Sequence, residues 1–136
     1  QLLVRALCPV CAEERPMDAH AWEELVQEYV DGGGIDAATA RQRLLDAAGA
    51  AEPGQLRTRH AVGCDHCGGK GYKGRMGVYE ILQNSRTIRQ LIQDRARPSE
   101  LFEAAVREGM RSLRHDALEK VVQGRLDLRQ ARLAYR

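Results

Sequence analysis

The four cysteines are the residues best able to do chemistry, and they fall as two pairs, Cys8-Pro9-Val10-Cys11 and Cys64-Asp65-His66-Cys67. A spacing of two lets both sulfurs of a pair face one metal ion at about 2.3 Å, and two such knuckles complete a tetrahedron suited to Zn2+. Four thiolates leave no coordination position for water. Cys8, Cys11, Cys64 and Cys67 are therefore expected to form a structural centre that closes the loop between Cys11 and Cys64, and loss of the metal should loosen the front half of the chain. Two disulfides, a redox CxxC or unrelated buried thiols are the other readings of these residues. A redox motif accounts for one pair and leaves the other idle. Disulfides imply an oxidising compartment, for which no targeting segment speaks. His60 and His66 are candidate replacement ligands, but four thiols already fill the shell and His66 sits between two of them.

A zinc ion held by four thiolates carries net negative charge, and Arg5, Lys70, Lys73 and Arg75 lie close enough in sequence to offset it or to hydrogen-bond sulfur. No catalytic residue is expected, because no nucleophile has a base beside it and Glu80 is expected to pair with an arginine. A phosphate loop of the form G-x-x-x-x-G-K-[ST] is absent: Gly69-Lys70 is followed by Gly71, and the position five before Gly69 is Cys64. This stretch of chain cannot build a nucleotide site by itself.

Two groups of elements must position the cysteines. After the first pair, Asp18 is placed to cap a helix carrying Trp22, Leu25, Val26, Tyr29 and Val30 on one face. Gly32-Gly33-Gly34 ends it. Asp36 caps a second helix, roughly Ala37 to Ala48, with Ala40, Leu44, Leu45 and Ala48 inward and Gly49 past its end. The two helices are expected to form a hairpin inserted at about 17–50 between the cysteine pairs, the stripe on the first packing against the second. Leu56, Thr58, His60 and Val62 alternate as in a half-buried strand leading to Cys64. Gly68, Gly69, Gly71 and Gly74 turn the chain after Cys67, and Gly77 to Leu82 reads as another strand.

Beyond residue 84 the pattern is helical. Asn84 or Ser85 starts one helix with Ile88, Leu91 and Ile92 inward, and Pro98 opens another with Leu101, Phe102, Ala105 and Val106 inward. Ser112 caps a third, bearing Leu113, Ala117, Leu118, Val121 and Val122. Asp127 and Gln130 form a capping-box pattern for a last helix carrying Leu128, Ala131 and Leu133. The expected fold is α+β and mostly α: a tetracysteine module over 1–83 with its inserted hairpin, followed by a small helical bundle over 84–136.

The composition agrees with a globular chain of modest core. Of 136 residues 43% are hydrophobic but only 4% aromatic, so Leu, Val, Ile and Ala must fill the interior and a metal staple would help. The longest apolar runs fall far short of the ~20 residues a membrane helix needs, which points to a cytoplasmic protein with at most peripheral membrane contact. Net charge is +2, with the front acidic and the back basic. The basic residues after Asn84 are interspersed with acidic ones, as on a mixed solvated surface. Gln1-Leu2-Leu3-Val4 reads as a strand already under way, so the chain looks like a segment of something longer.

Residues 59 to 80, from Arg59-His60-Ala61-Val62-Gly63-Cys64 through Gly68-Gly69-Lys70-Gly71-Tyr72-Lys73-Gly74-Arg75-Met76-Gly77-Val78-Tyr79-Glu80, resemble the C-terminal segment of the type II secretion and type IV pilus-assembly ATPases. Gln1 to Cys11 resembles the segment that brings the first CxxC in that family, and Gly109 to Leu118 resembles its closing helical region. The resemblance implies a zinc-binding module beside a RecA-like core, in a cytoplasmic hexamer that docks on an inner-membrane platform protein. ATP and Mg2+ would then belong to the parent's core, and the partners would be that core, neighbouring subunits and the platform. The Met17–Ala50 hairpin is longer than the family pattern leads one to expect. Two further readings compete. Cys64 to Gly71 fits one CxxCxGxG repeat of DnaJ-type chaperones, although the first pair lacks the glycines. Lys70, Lys73 and Arg75 beside Tyr72 fit a nucleic-acid-binding zinc ribbon; under the family reading no nucleic acid is expected.

Overall fold

A computed structural model describes all residues 1–136 and places two short antiparallel ladders and six helices along the chain. Strands β1 (Leu2–Leu7) and β4 (Tyr72–Val78) form one ladder, and β2 (Glu13–Pro16) and β3 (Arg57–His60) the other. The helices are α1 (Ala19–Val30), α2 (Ala37–Ala48), α3 (Arg86–Gln93), α4 (Pro98–Arg107), α5 (Leu113–Val122) and α6 (Leu128–Leu133). Single 3-10 turns occupy Pro53–Gln55 and Asp65–Cys67.

Capping chemistry fixes most of the helix starts. Asp18 accepts the Ala21 N–H at 2.7 Å, Asp36 accepts that of Thr39 at 2.8 Å, Ser85 that of Ile88 at 3.1 Å and Ser112 that of His115 at 3.2 Å. Asp127 accepts the Gln130 N–H at 2.8 Å, but the reciprocal half of the expected box is missing. The Gln130 side chain instead accepts the Arg5 N–H at 3.0 Å and ties α6 to the outer edge of β1.

The strand expected over Gly77 to Leu82 starts five residues earlier, at Tyr72, and ends at Val78. Its register explains this: Leu7 faces Tyr72 and Leu2 faces Val78, so nothing remains on β1 for Tyr79 and beyond to pair with. The Tyr79 N–H goes to Asp116 at 2.8 Å. Glu80 pairs with no arginine; its carboxylate accepts the Leu113 N–H at 3.0 Å, at the positive end of α5. β2 was not visible in the sequence, because Glu13-Glu14-Arg15-Pro16 shows no apolar alternation and is fully exposed. It exists as the partner of β3, with Pro16 at its last position, where a missing N–H is tolerated.

Three apolar clusters fill the interior. In the largest, Trp22, Leu25, Val26 and Tyr29 of α1 meet Ala40 and Leu44 of α2, Leu56, and Leu118 and Val122 of α5. The α1 stripe therefore packs on α5 as well as on its hairpin partner. The second joins Val4 and Val78 to Ala117, Val121, Leu126, Ala131 and Ala134. Both take residues from either side of position 83, so the packing crosses the junction between front and back. The third, around Ile88, Ala104 and Ala105, holds α3 against α4. Ile92 and Leu133, expected inward, are exposed at 55% and 49%. Polar links reinforce the first cluster: Glu28 of α1 accepts from Arg132 Nε and Nη2, each at 3.0 Å, and from the Tyr135 hydroxyl at 2.6 Å.

Candidate metal centre

β1 delivers Cys8 directly past its last residue, and the Cys8 N–H bonds to the Gly71 carbonyl at 2.9 Å. The Ala12 N–H returns to the Cys8 carbonyl at 3.1 Å, closing the turn that brings Cys11 round. β2 then pairs with β3, and β3 carries the chain back to Cys64. The 3-10 turn at Asp65–Cys67 folds the second pair onto the first, and Gly68 ends it in the left-handed conformation.

All four Sγ atoms lie within 4.8 Å of one another. Cys8 to Cys64 is 3.9 Å, Cys11 to Cys67 is 3.8 Å and Cys64 to Cys67 is 3.8 Å. A regular tetrahedron with metal–sulfur distances of 2.3 Å has edges of about 3.8 Å, so the donor set fits a four-sulfur ion such as Zn2+. These separations are also far beyond the ~2.05 Å of a disulfide, and all four cysteines are free. Cys8 and Cys67 are buried, Cys11 and Cys64 half-buried.

The hydrogen bonds to sulfur come from the backbone. Gly63 N–H donates to Cys11 Sγ at 3.3 Å, Cys64 N–H to Cys67 Sγ at 3.2 Å and Gly71 N–H to Cys67 Sγ at 3.2 Å. Burial pushes the Cys67 thiol up, but the Cys64 and Gly71 amides and the neighbouring thiols outweigh it and hold it down at about 6. Burial likewise opposes Cys8, whose thiol is nonetheless drawn below its ordinary value by the amides of Cys11 and Val10. Cys11 is pushed up to about 11, chiefly by burial. Such a cluster favours thiolate at some members and resists it at others, and a dication would relieve the resistance.

Gly63 and Gly71 are the residues that sequence reasoning undervalued here. Gly63 has φ +117°, and a Cβ there would lie 2.6 Å from the Gly69 carbonyl oxygen. Gly71 has φ +79°, and its Cβ would lie 2.7 Å from that of Ala61. Each puts its amide on a sulfur because the backbone can come this close. None of Arg5, Lys70, Lys73 and Arg75 donates a hydrogen bond to a sulfur. Lys73 donates to the His66 carbonyl at 3.2 Å, and Arg5 and Arg75 stand opposite each other across the β1–β4 ladder. His60 bonds Thr58 at 2.9 Å and His66 is exposed; neither joins the sulfur cluster. Tyr72, the candidate base-stacking ring, hydrogen-bonds Asp127, and burial with that carboxylate pushes its hydroxyl up to about 12.

Residues 1–133 match the family model described as type II/IV secretion system protein. The chain belongs to this family. Among its type II/IV secretion relatives, the type IV pilus assembly ATPase TfpB of Acinetobacter baylyi is 32% identical over 124 residues, 91% of this chain and 18% of its own length. The type II secretion system ATPase E of Vibrio cholerae is 33% identical over 124 residues, 91% of this chain and 20% of its own. The type IV pilus assembly ATPase PilB of Thermus thermophilus is 43% identical over 68 residues, half of this chain and 8% of its own. The chain thus spans about a fifth of the length of the relatives it matches over 124 residues, and those two matches run across the α1–α2 hairpin.

Proposed function

We propose that this chain is the zinc-binding, non-catalytic region of a type II/IV secretion ATPase, in which a closed Cys8, Cys11, Cys64, Cys67 centre holds a docking surface in shape. The observation that carries the reading is the cluster of four sulfurs, in which the Cys8–Cys64, Cys11–Cys67 and Cys64–Cys67 separations of 3.8–3.9 Å match the edges of a zinc tetrathiolate. When bound, the ion supplies no reaction; it cross-links the end of β1 to the turn before β4. The Gly63, Cys64 and Gly71 amides orient the sulfurs and spread their charge. ATP hydrolysis, with its nucleotide and Mg2+, belongs to the remainder of the parent, which works as a hexamer on the cytoplasmic face of the inner membrane. This region contacts neighbouring subunits and the membrane platform protein. No helix here is long and apolar enough to cross a membrane, as suits a peripheral role.

Because α1 and α2 pack on α5 rather than on the cysteines, loss of zinc is expected to loosen 8–16 and 57–71 and to leave the hairpin core in place. Cys64→Ser in the full-length parent tests the functional reading. The variant is expected to lose its zinc and its binding to platform protein while still binding nucleotide. Platform binding and hexamer assembly unchanged without zinc would refute it.

A further inference from the structure

From Cys67 to β4 the chain passes through Gly68, Gly69, Lys70 and Gly71, of which only Lys70 has a side chain, and that side chain is exposed. Gly71 nevertheless serves two cysteines: its N–H donates to Cys67 Sγ at 3.2 Å and its carbonyl accepts the Cys8 N–H at 2.9 Å. A glycine-rich stretch cannot fix Gly71 by itself, and the β1–β4 ladder is poorly suited to do so alone. Arg5 faces Arg75 across it, a like-charge rung. From that rung to the next, Leu7 with Tyr72, β1 advances two residues and β4 three, a bulge in which Gly74 takes φ +76°.

Helix α6 supplies the missing hold. The Tyr72 hydroxyl donates to Asp127 Oδ2, and Asp127 Oδ1 caps α6 by accepting the Gln130 N–H at 2.8 Å. The Gln130 side chain accepts the Arg5 N–H at 3.0 Å. This strap of three hydrogen bonds grips both strands at the bulge, β4 through Tyr72 and β1 through Arg5. Burial and the facing carboxylate push the Tyr72 hydroxyl up to about 12, so it remains a donor at neutral pH. α6 depends on the strap in its turn. It has six residues, too few to form alone. The buried apolar side chains it and its cap give to the second cluster are Ala131 and Ala134, which remove little area from water.

We infer that Tyr72, Asp127 and Gln130 are positioning residues for the metal centre: they fix Gly71 through Tyr72 and the end of β1 through Arg5, so that metal binding at the cysteines and docking of α6 favour each other. The coupling is reciprocal. Whatever factor docked α6 adds to metal affinity, bound metal adds to the docking of α6. Helix α3 provides the contrast, because it is held against α4 by its own cluster around Ile88. The inference rests on the reading of Cys8, Cys11, Cys64 and Cys67 as a zinc centre.

The test measures the zinc affinity of the full-length protein by competition with a chromogenic chelator under reducing conditions. Tyr72→Phe removes the hydroxyl of the strap and is expected to weaken zinc binding about tenfold, as for two coupled sites. Tyr135→Phe is the control: it deletes a hydroxyl that donates to another carboxylate, Glu28, outside the strap, and should leave zinc affinity unchanged. Asp127→Asn keeps an N-cap and an acceptor for Tyr72, so it should bind zinc more tightly than Asp127→Ala, a rescue that a general loss of stability would not show. Hydrogen exchange reads the reverse direction and needs no variant to fold. In the unsubstituted protein, chelation is expected to speed exchange over 127–134 about tenfold while α3 stays unchanged; in Tyr72→Phe that response should disappear. Equal zinc affinity in Tyr72→Phe and Tyr135→Phe, no recovery in Asp127→Asn over Asp127→Ala, or exchange in α6 indifferent to zinc would each overturn the inference and leave the zinc reading intact. Absence of zinc from the unsubstituted protein would overturn that reading, and this inference with it.

Discussion

Gly71→Ala, compared with Gly68→Ala, isolates the close backbone approach on which the metal centre depends. Both glycines have positive φ, +79° and +64°, so an alanine at either position bears the same left-handed penalty of about 1–2 kcal/mol. They differ in surroundings. A Cβ at Gly68 meets nothing within 4 Å, whereas one at Gly71 lies 2.7 Å from Ala61 Cβ and 3.0 Å from the Val62 nitrogen, neither of which can swing aside. Overpacking of this kind costs about 1–3 kcal/mol. The backbone shift that relieves it also draws the Gly71 N–H off Cys67 Sγ, now at 3.2 Å. Because ligand loop and ion order together, the strain appears in the metal equilibrium. Gly71→Ala is expected to bind zinc about 5–150-fold more weakly than Gly68→Ala, measured by competition with a chromogenic chelator under reducing conditions. Equal affinities for the two variants would refute the argument.

Three further outcomes follow from other parts of the fold. Tyr29 is buried and donates to Glu119 at 2.6 Å, and that carboxylate also accepts Arg111 Nε at 2.9 Å. Tyr29→Phe should therefore cost about 1.5–3 kcal/mol in urea unfolding, and a loss below ~0.5 kcal/mol would mean the pair is not formed. His115 is held down to about 4, first by burial and then by Arg43, Arg111 and Arg114, while its ring meets the Tyr29 carbonyl at 3.1 Å. Its folded value lies below the unfolded one, so it leaves stability untouched above about pH 6.5 and lowers it as pH falls from there towards 4. His115→Gln should flatten that part of the stability profile relative to the parent; parallel profiles would contradict this. Chelation should raise amide exchange in 8–16 and 57–71 and leave Leu25, Leu44 and Leu118 protected, and uniform loss of protection would show that the metal supports the whole molecule.

The helices were legible because their signals are local. Asp18, Asp36, Ser85, Ser112 and Asp127 each combine a capping side chain with an apolar period behind it, and all five cap as their positions suggest. The cysteine cluster was legible for the same reason, since CxxC spacing is a local geometric statement. What escaped depends on contacts distant in sequence. β2 is defined by β3, some forty residues on, and the end of β4 by where β1 runs out. The direction of Ile92 and Leu133 depends on what covers α3 and α6. The sulfur hydrogen bonds come from backbone amides and not, as one of the two roles suggested for Arg5, Lys70, Lys73 and Arg75, from basic side chains, because a backbone amide carries no residue signature; only Gly63 and Gly71 beside the pairs point to them.

The central claim is that Cys8, Cys11, Cys64 and Cys67 share one ion. Zinc per chain by inductively coupled plasma mass spectrometry, paired with titration of free thiols before and after chelation, tests it most directly. One zinc per chain with all four thiols masked until the metal is removed is the predicted result. No metal, with the thiols freely reactive or oxidised to two disulfides, would contradict it.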